Sequence, residues 1–173
     1  MDRYIQTQEN LDLSGQDIQR ITNNAVKITP YHELRSNMNI DELFGDKPCA
    51  MLLYETKENF GHWVAMIKQN GFLEFFDSYG LKVDEELNYA KYDTNATLTQ
   101  ILQQSKVRIV YNDVKLQVFK EDVNTCGRWT AFRIVMRDTP LKQFQQLFKG
   151  VKHYNGDFFI TALTLIFTLH KQN

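Results

Sequence analysis

Three side chains that can cooperate in acyl transfer are spread over the middle of the 173-residue chain: His62, Asp77 and Cys126. An imidazole beside a carboxylate can serve as a general base, because the carboxylate fixes the tautomer and stabilises the imidazolium. A cysteine at the N-terminus of a helix is favoured as the thiolate by backbone N–H groups and the helix dipole. The three residues therefore indicate a cysteine nucleophile served by a His-Asp pair, provided that the fold brings them together.

The dipeptide Asn70-Gly71 predicts how His62 and Asp77 meet. It separates two strand-like apolar runs and favours a two-residue β-hairpin turn. In the register set by that turn, His62 and Asp77 lie on the same face of the hairpin as diagonal neighbours, roughly 7 Å apart at the backbone. A slip by one residue would place them on opposite faces. The alternative interpretation is a partly buried His-Asp hydrogen bond without any chemistry.

The two cysteines stand in different contexts. Cys126 follows Thr125, a candidate helix N-cap; Arg128 adds positive charge nearby, and Gly127 leaves room for a substrate backbone. Cys49 lies inside a continuous apolar run and is interpreted as a core residue of a strand. The alternative for Cys126 is the same role, that of a small buried apolar side chain.

The composition excludes several classes of protein. The 20 basic and 21 acidic residues give a net charge of −1, so a protein that coats nucleic acid is not expected. Two cysteines are too few for a disulfide scaffold and no secretory leader opens the sequence, so a reducing intracellular setting is expected. The apolar run 158–169 contains three threonines and is shorter than the roughly 20 residues of a membrane span. It predicts a core helix capped by Asp157.

The elements predicted around the three residues form one α+β domain over residues 13–173, preceded by a flexible tail over residues 1–12. Ser14 and Asp17 predict a capped first helix. Apolar runs and the hairpin turn predict three antiparallel strands in the middle of the chain. A helix over 125–136 then lies behind the sheet. No glycine-rich phosphate-binding motif is present, so nucleotide-dependent chemistry has no anchor.

Four short motifs, in this order, resemble those of the adenain and Ulp-type cysteine peptidases: Gly61-His62-Trp63, Phe76-Asp77-Ser78-Tyr79-Gly80, Gln117 and Cys126-Gly127-Arg128-Trp129. The order is informative, because the same catalytic geometry recurs on unrelated folds with other orders. Together with Leu13-Ser14-Gly15 and Leu53-Tyr54-Glu55, the motifs are similar to those of the maturation proteases of virophages and polinton-like viruses. They run from about residue 13 to residue 137.

The resemblance implies a central mixed, mainly antiparallel sheet flanked by helices, with the nucleophile at the N-terminus of a central helix. It implies a set of catalytic roles: general base for His62, orienting partner for Asp77, nucleophile for Cys126 and oxyanion-hole donor for Gln117. It also implies that Trp63 and Gly127 shape the substrate cleft. The alternative for Trp63 is a core position on the other face of the hairpin.

Two departures from the family pattern concern Gln117. Nine positions separate it from Cys126, and a threonine stands where the family often has an aspartate before the cysteine. An insertion, residues 120–122, is expected to loop out and leave the glutamine in place. The fallback amide donors are Gln103, Gln104 and Asn124.

The resemblance implies a viral cysteine endopeptidase that cleaves capsid or scaffold precursors during particle maturation, at sites with a small residue such as glycine. Its setting would be the virion and the host-cell interior, in the virus factory or cytoplasm. The alternatives are a deconjugating protease for a ubiquitin-like modifier, an acetyltransferase and a non-catalytic binding relative. No cofactor, metal or membrane is expected, and the chain is expected to be a monomer. A DNA or peptide activator stays open, because a family member uses both and residues 126–153 are rich in basic side chains.

Overall fold

The computed structural model describes residues 1–90, 95–120, 123–150 and 155–169. In chain order the helices and strands are α1 (Asp2–Glu9), α2 (Gly15–Ile21), β1 (Val26–Pro30), α3 (Ile40–Phe44), β2 (Cys49–Lys57), β3 (Phe60–Gln69), β4 (Phe72–Phe76), α4 (Thr97–Ser105), β5 (Ile109–Tyr111), α5 (Cys126–Val135), α6 (Leu141–Leu147) and α7 (Gly156–Leu169). Two 3₁₀ helices, Tyr31–Glu33 and Glu85–Asn88, complete them. The five strands form one sheet in the order β1-β2-β3-β4-β5. The two central pairings are antiparallel and the two outer ones parallel, which confirms the α+β class and the mixed sheet.

The β3–β4 hairpin has the register predicted from Asn70-Gly71. Gln69 pairs with Phe72, which leaves these two residues as the turn. Gly71 has a φ of 84°, a left-handed conformation that glycine adopts without steric cost. Strand β3 extends well past the end of β4, so the beginning of β3 has a free edge on the β4 side.

The sheet separates two apolar cores. Helices α2, α5, α6 and α7 cover one face, while α3, α4 and the first 3₁₀ helix cover the other. Side chains of β3 alternate between the cores: Trp63 and Ala65 lie on the α5 side, and Val64 and Met66 on the α4 side. By the same alternation His62 belongs to the α4 side, and its partner at the end of β4 must reach the same side.

The N-terminal residues differ from the flexible tail predicted over 1–12. They form α1, which packs on α7 and buries Ile5. Arg128 of α5 donates a hydrogen bond to the carbonyl oxygen of Gln8 at 3.2 Å and so connects the end of α1 to the central helix. The polar sequence gives little signal for this helix, because a helix this short depends on tertiary contacts rather than on propensity.

Helix α7 contains the apolar run 158–169 and packs its buried side, including Ile160, against α1, α2 and α5. Among the described residues, no helix combines the length and the apolar character needed to cross a membrane. The cap predicted at Asp157 is wrong. The side chain of Asn155 accepts the backbone N–H of Phe158 at 2.8 Å, whereas Asp157 is buried.

Removing the charge of Glu74 in β4 tests how α5 is fixed to the sheet. Arg133 of α5 donates two hydrogen bonds to the Glu74 carboxylate, at 2.6 and 2.7 Å, and both side chains are buried. Glu74→Gln leaves the guanidinium without its counter-charge, so we expect the free energy of unfolding to fall by about 3–5 kcal/mol in chemical denaturation. The control Asp41→Asn removes an exposed carboxylate facing Lys68 and should cost less than about 1 kcal/mol. Equal losses would contradict this role for the buried ion pair.

Candidate active site

His62 and Asp77 meet at the end of the sheet where β3 begins and β4 has just ended. His62 Nε2 lies 3.1 Å from Oδ2 of Asp77, and both side chains are buried. The second carboxylate oxygen, Oδ1, accepts the backbone N–H of Tyr79 at 2.6 Å. Asn112 donates its side-chain amide to the Asp77 carbonyl oxygen at 2.5 Å. The structure thus brings the predicted pair together and fixes the aspartate through both its side chain and its backbone.

Cys126 is the first residue of α5 and reaches the pair from the other core. Its Sγ lies 4.0 Å from the carbonyl oxygen of Gly61 and is within hydrogen-bonding reach of the His62 ring. The hydroxyl of Thr130 donates to the carbonyl oxygen of Cys126 at 2.7 Å and also lies 3.2 Å from the carbonyl oxygen of Trp63, so the first turn of α5 lies directly against β3. The sulfur therefore sits at a helix N-terminus, where backbone N–H groups and the helix dipole favour negative charge.

The charge of His62 is set by its two partners. Burial disfavours the imidazolium, but hydrogen bonds to Asp77 and Cys126, together with their charges, outweigh burial, so the pKa of His62 lies well above its usual value. The ring stacks on Tyr79, with centroids 4.8 Å apart and an interplanar angle of 18°. A protonated imidazole in this position stabilises negative charge on the neighbouring sulfur, which is the arrangement that a cysteine nucleophile requires.

Gln117 is buried in the wall next to these residues, in a loop rather than in the strand-like conformation that its sequence context suggests. Its Nε2 donates to the hydroxyl of Tyr79 at 3.1 Å and to the carbonyl oxygen of Val123 at 3.3 Å. Its Oε1 accepts the hydroxyl of Ser78 at 2.7 Å. The contact with Val123 closes the loop, so the glutamine stays near the cysteine despite their separation in sequence. Residues 121–122 of the predicted insertion lie outside the described residues.

Of the three fallback amide donors, only Asn124 lies at the cleft. Asn124 lines the same cleft, and its side chain donates to the carbonyl oxygen of Asn10 at 3.1 Å. Gln103 and Gln104 lie on α4, which covers the other face of the sheet, and neither lines the cleft. Asn124 is therefore the fallback donor that the fold places beside Cys126.

Trp63 and Gly127, expected to shape the substrate cleft, instead pack against each other behind it. Trp63 belongs to the core between the sheet and α5, as its alternative interpretation stated, and neither residue lines the cleft. A Cβ on Gly127 would lie 3.1 Å from Cδ1 of Trp63 and 3.4 Å from the side chain of Leu13. A larger residue at position 127 would therefore have to displace the tryptophan side chain slightly. The strand alternation explains why Trp63 turns away from His62.

A cleft of about 490 Å³ opens above Cys126 and His62. Its wall is mainly apolar, with a few charged side chains among aromatic ones. Phe119 is 73% exposed and Tyr89 66% exposed, so both aromatic rings are available to an extended ligand. The lining residues are Asp12, Thr56, Phe60, Gly61, His62, Tyr79, Leu81, Glu86, Tyr89, Lys115, Gln117, Phe119, Val123, Asn124 and Cys126.

Asp157 supports the site in a way that the sequence did not reveal. Its buried carboxylate accepts hydrogen bonds from the hydroxyl of Thr125, from the indole N–H of Trp129 at 2.8 Å and from the backbone N–H of Val118 at 2.9 Å. Thr125 does occupy the N-cap position of α5, but its side chain bonds to Asp157 rather than to the helix. An acidic residue next to a glycine before an apolar run is an ordinary cap signal, and only the tertiary fold shows its other partners.

Among the described residues, His62, Asp77 and Glu86 bring three potential metal-ligating atoms within 4.8 Å of one another. In the structure the imidazole and the Asp77 carboxylate are bonded to each other, and Oε1 of Glu86 lies 3.6 Å from the same Nε2. The two carboxylates therefore pair with the imidazole, and the three side chains form an acid-base cluster.

The basic bias of residues 126–153 is only partly at the surface. Arg128 donates to Thr164 and Arg133 pairs with Glu74, and both guanidinium groups are buried. The described basic residues that remain outside the core are Arg137, Lys142 and Lys149. Residues 151–154 lie outside the described part of the chain. In the described part, the predicted basic region therefore has three basic side chains outside the core.

No protein-family model matches the chain. The chain is 29% identical over 168 residues to the uncharacterized protein V9 of Sputnik virophage, covering 91% of this chain and 96% of that protein. The ASFV pS273R protease is 12% identical with a TM-score of 0.48, over 91% of this chain and 68% of that one. The C-terminal Ulp1 protease domain in complex with Smt3, the yeast ortholog of SUMO, is 12% identical with a TM-score of 0.40, over 92% and 79%.

Alkylation distinguishes the two cysteines. Cys49 is fully buried, and burial raises the pKa of its thiol to about 11, whereas Cys126 opens onto the cleft beside a protonated His62. We expect iodoacetamide at pH 7 to label Cys126 well before Cys49, as followed by mass spectrometry of the digested protein. His62→Ala should slow labelling of Cys126 and leave Cys49 unchanged. Faster labelling of Cys49 would contradict the assignment of the nucleophile.

Proposed function

We propose that the chain is a viral cysteine endopeptidase in which Cys126 is the nucleophile, His62 the general acid-base and Asp77 the orienting carboxylate. The observation that carries the proposal is the convergence of these groups at the base of an open cleft. A helix N-terminus presents the sulfur, and the imidazole is bonded to a buried carboxylate on its other side. A buried His-Asp bond without chemistry would not require a cysteine and a ligand-sized cleft at the same point.

The reaction is acyl transfer through a thioester. The Cys126 sulfur attacks the peptide carbonyl carbon while His62 holds the proton, and the carbonyl oxygen becomes an oxyanion. When the tetrahedral intermediate collapses, the C–N bond breaks and His62 gives its proton to the leaving amine. Water then attacks the thioester while His62 takes its proton, and the second tetrahedral intermediate collapses to release the acid and restore the thiolate beside the imidazolium. Asp77 keeps the Nε2–H end of the ring in place throughout.

The oxyanion is assigned to the backbone N–H of Cys126 and the side-chain amide of Gln117. In the resting structure the Gln117 amide is shared between Tyr79 and the carbonyl oxygen of Val123, whose bond at 3.3 Å is the longer. Substrate binding exchanges that longer bond for one to the developing oxyanion. The bond from Ser78 to Oε1 fixes the orientation of the amide, so that its nitrogen faces the cleft side.

The shape of the cleft and the virophage relative support the proposed substrate class. An open, mainly apolar trough rimmed by Phe119 and Tyr89 suits an extended polypeptide. The match to a virophage protein over nearly its whole length supports a viral setting. We therefore assign capsid or scaffold precursors as substrates, cleaved next to a small residue such as glycine during particle maturation inside the infected cell.

The decisive experiment incubates the protein with the capsid precursor of its own virus. Cys126→Ala should lower cleavage by at least about 10³-fold, because the acyl-enzyme can no longer form. Cys49→Ala is the matched control and should retain cleavage, since Cys49 lies in the core away from the cleft. A precursor with leucine in place of glycine at the cut site should be cleaved more slowly. Cleavage by Cys126→Ala, or binding of the precursor by the wild-type protein without cleavage, would contradict the proposal.

Gln117→Ala tests the oxyanion assignment. Loss of one preorganised donor should lower kcat by about 10²- to 10³-fold with little change in KM, because the bond forms mainly in the transition state. Asn124→Ala removes the other side-chain amide that lines the cleft and should have a much smaller effect. Thermal unfolding of both variants controls for damage to the loop. If kcat of Gln117→Ala equals that of the wild type, Gln117 is not the oxyanion-hole donor and another group must supply that hydrogen bond.

A further inference from the structure

Glu86 is a second carboxylate at the catalytic histidine that the proposed mechanism does not use. It lies on the 3₁₀ helix Glu85–Asn88 and is buried, although its neighbour Glu85 is exposed. Its Oε1 lies 3.6 Å from His62 Nε2, the atom that also bonds Asp77. Burying a carboxylate is costly unless it has a partner of opposite charge, and His62 is the cation that faces it.

A network of partly buried hydrogen bonds at Asp84 holds the segment that carries Glu86. Asp84, two residues earlier, adopts a left-handed backbone conformation with φ of 63°. Its carboxylate accepts the hydroxyl groups of Tyr31 at 2.7 Å and Tyr54 at 3.0 Å, and the backbone N–H of Thr99 at 2.8 Å. Tyr54 is the residue of β2 that pairs directly with His62 of β3. The segment carrying Glu86 is therefore anchored to the strand position next to the histidine.

The groups around the ring act on the charge of Glu86 in opposite directions. Besides Glu86, the groups facing His62 are Asp77 after β4, Cys126 on α5 and the stacked ring of Tyr79. Asp12 and Lys115 line the same cleft. Burial raises the pKa of Glu86, the charge of His62 acts in the opposite direction, and Asp77 adds to the rise. Glu86 and Asp77 thus share one counter-charge, and the two carboxylates are both offset by a positive charge only while the His62 ring is protonated.

We propose that Glu86 is a second acidic positioning residue for His62, forming an ion pair at Nε2 beside the Asp77 hydrogen bond and stabilising the imidazolium of the resting enzyme. The inference rests on the proposed function and extends it. Asp77 orients the ring through its hydrogen bond, and Glu86 adds a second negative charge 3.6 Å from the same nitrogen. Glu86 also gives the histidine a charge partner on the cleft side, while Asp77 lies fully buried behind it.

Titration of the His62 ring by NMR tests the inference directly. Glu86→Gln should lower the pKa of His62 by about one unit, because an acceptor charge near the imidazolium is removed. The basic limb of the kcat/KM profile, where His62 loses its proton, should move to lower pH by the same amount. Glu86→Asp should restore part of the shift. Glu85→Gln removes the same charge one residue away at an exposed position and should change neither quantity. An unchanged His62 titration in Glu86→Gln would overturn the proposal.

A double-mutant cycle tests whether the two carboxylates act on the same imidazolium. If both stabilise one ring, Asp77→Ala with Glu86→Gln should lower kcat by roughly 10-fold more than the product of the single losses. A loss equal to the product would overturn this joint action. The NMR titration needs no substrate, so the two proposals fail separately. If the pKa of His62 shifts in Glu86→Gln but the wild-type protein does not cleave the precursor, the endopeptidase is contradicted and the role of Glu86 is supported. If the precursor is cleaved but the basic limb does not move in Glu86→Gln, the endopeptidase is supported and the role of Glu86 is contradicted.

Discussion

The register of the β3–β4 hairpin is the constraint on which the candidate site depends. Because side chains alternate along a strand, a slip of one residue would turn His62 or Asp77 to the opposite face of the sheet. The two-residue turn at Asn70-Gly71 excludes such a slip, since Gly71 supplies the left-handed conformation that the turn requires. A local turn thereby determines a contact between side chains 15 residues apart.

The position of Cys126, the proposed nucleophile, depends on a different interaction, that of the buried carboxylate of Asp157. It accepts hydrogen bonds from Thr125 and Trp129 at the start of α5 and from the backbone of Val118, one residue after Gln117. Three donors offset the cost of burying its charge. One side chain of α7 therefore fixes both the helix that carries the proposed nucleophile and the loop that carries the proposed oxyanion donor. This explains how a loop without regular structure can hold an amide in place.

The features that could be predicted from sequence are those fixed by neighbouring residues: the capping box of Ser14 and Asp17, the hairpin register and the start of α5. Those that could not be predicted depend on tertiary partners. The polar α1 gains its stability by packing on α7, and Asp157 finds its donors on two distant segments. In the sequence, Glu86 is one of several acidic residues in a polar stretch, a pattern typical of a solvated surface. Its burial depends on the segment around Asp84, which a hydrogen bond from Tyr54 anchors to the sheet.

The three residues of the motif Gly61-His62-Trp63 have three different structural roles at the free edge of β3. A Cβ on Gly61 would lie 2.0 Å from the carbonyl oxygen of Tyr54, so only glycine permits this approach of β2 and β3. His62 turns to one face to meet its carboxylates, and Trp63 turns to the other to pack on Gly127 of α5. Because β4 has ended before this point, no strand lies between the ring and the sulfur. A cysteine from one core and a histidine from the other can therefore meet around the edge of the sheet.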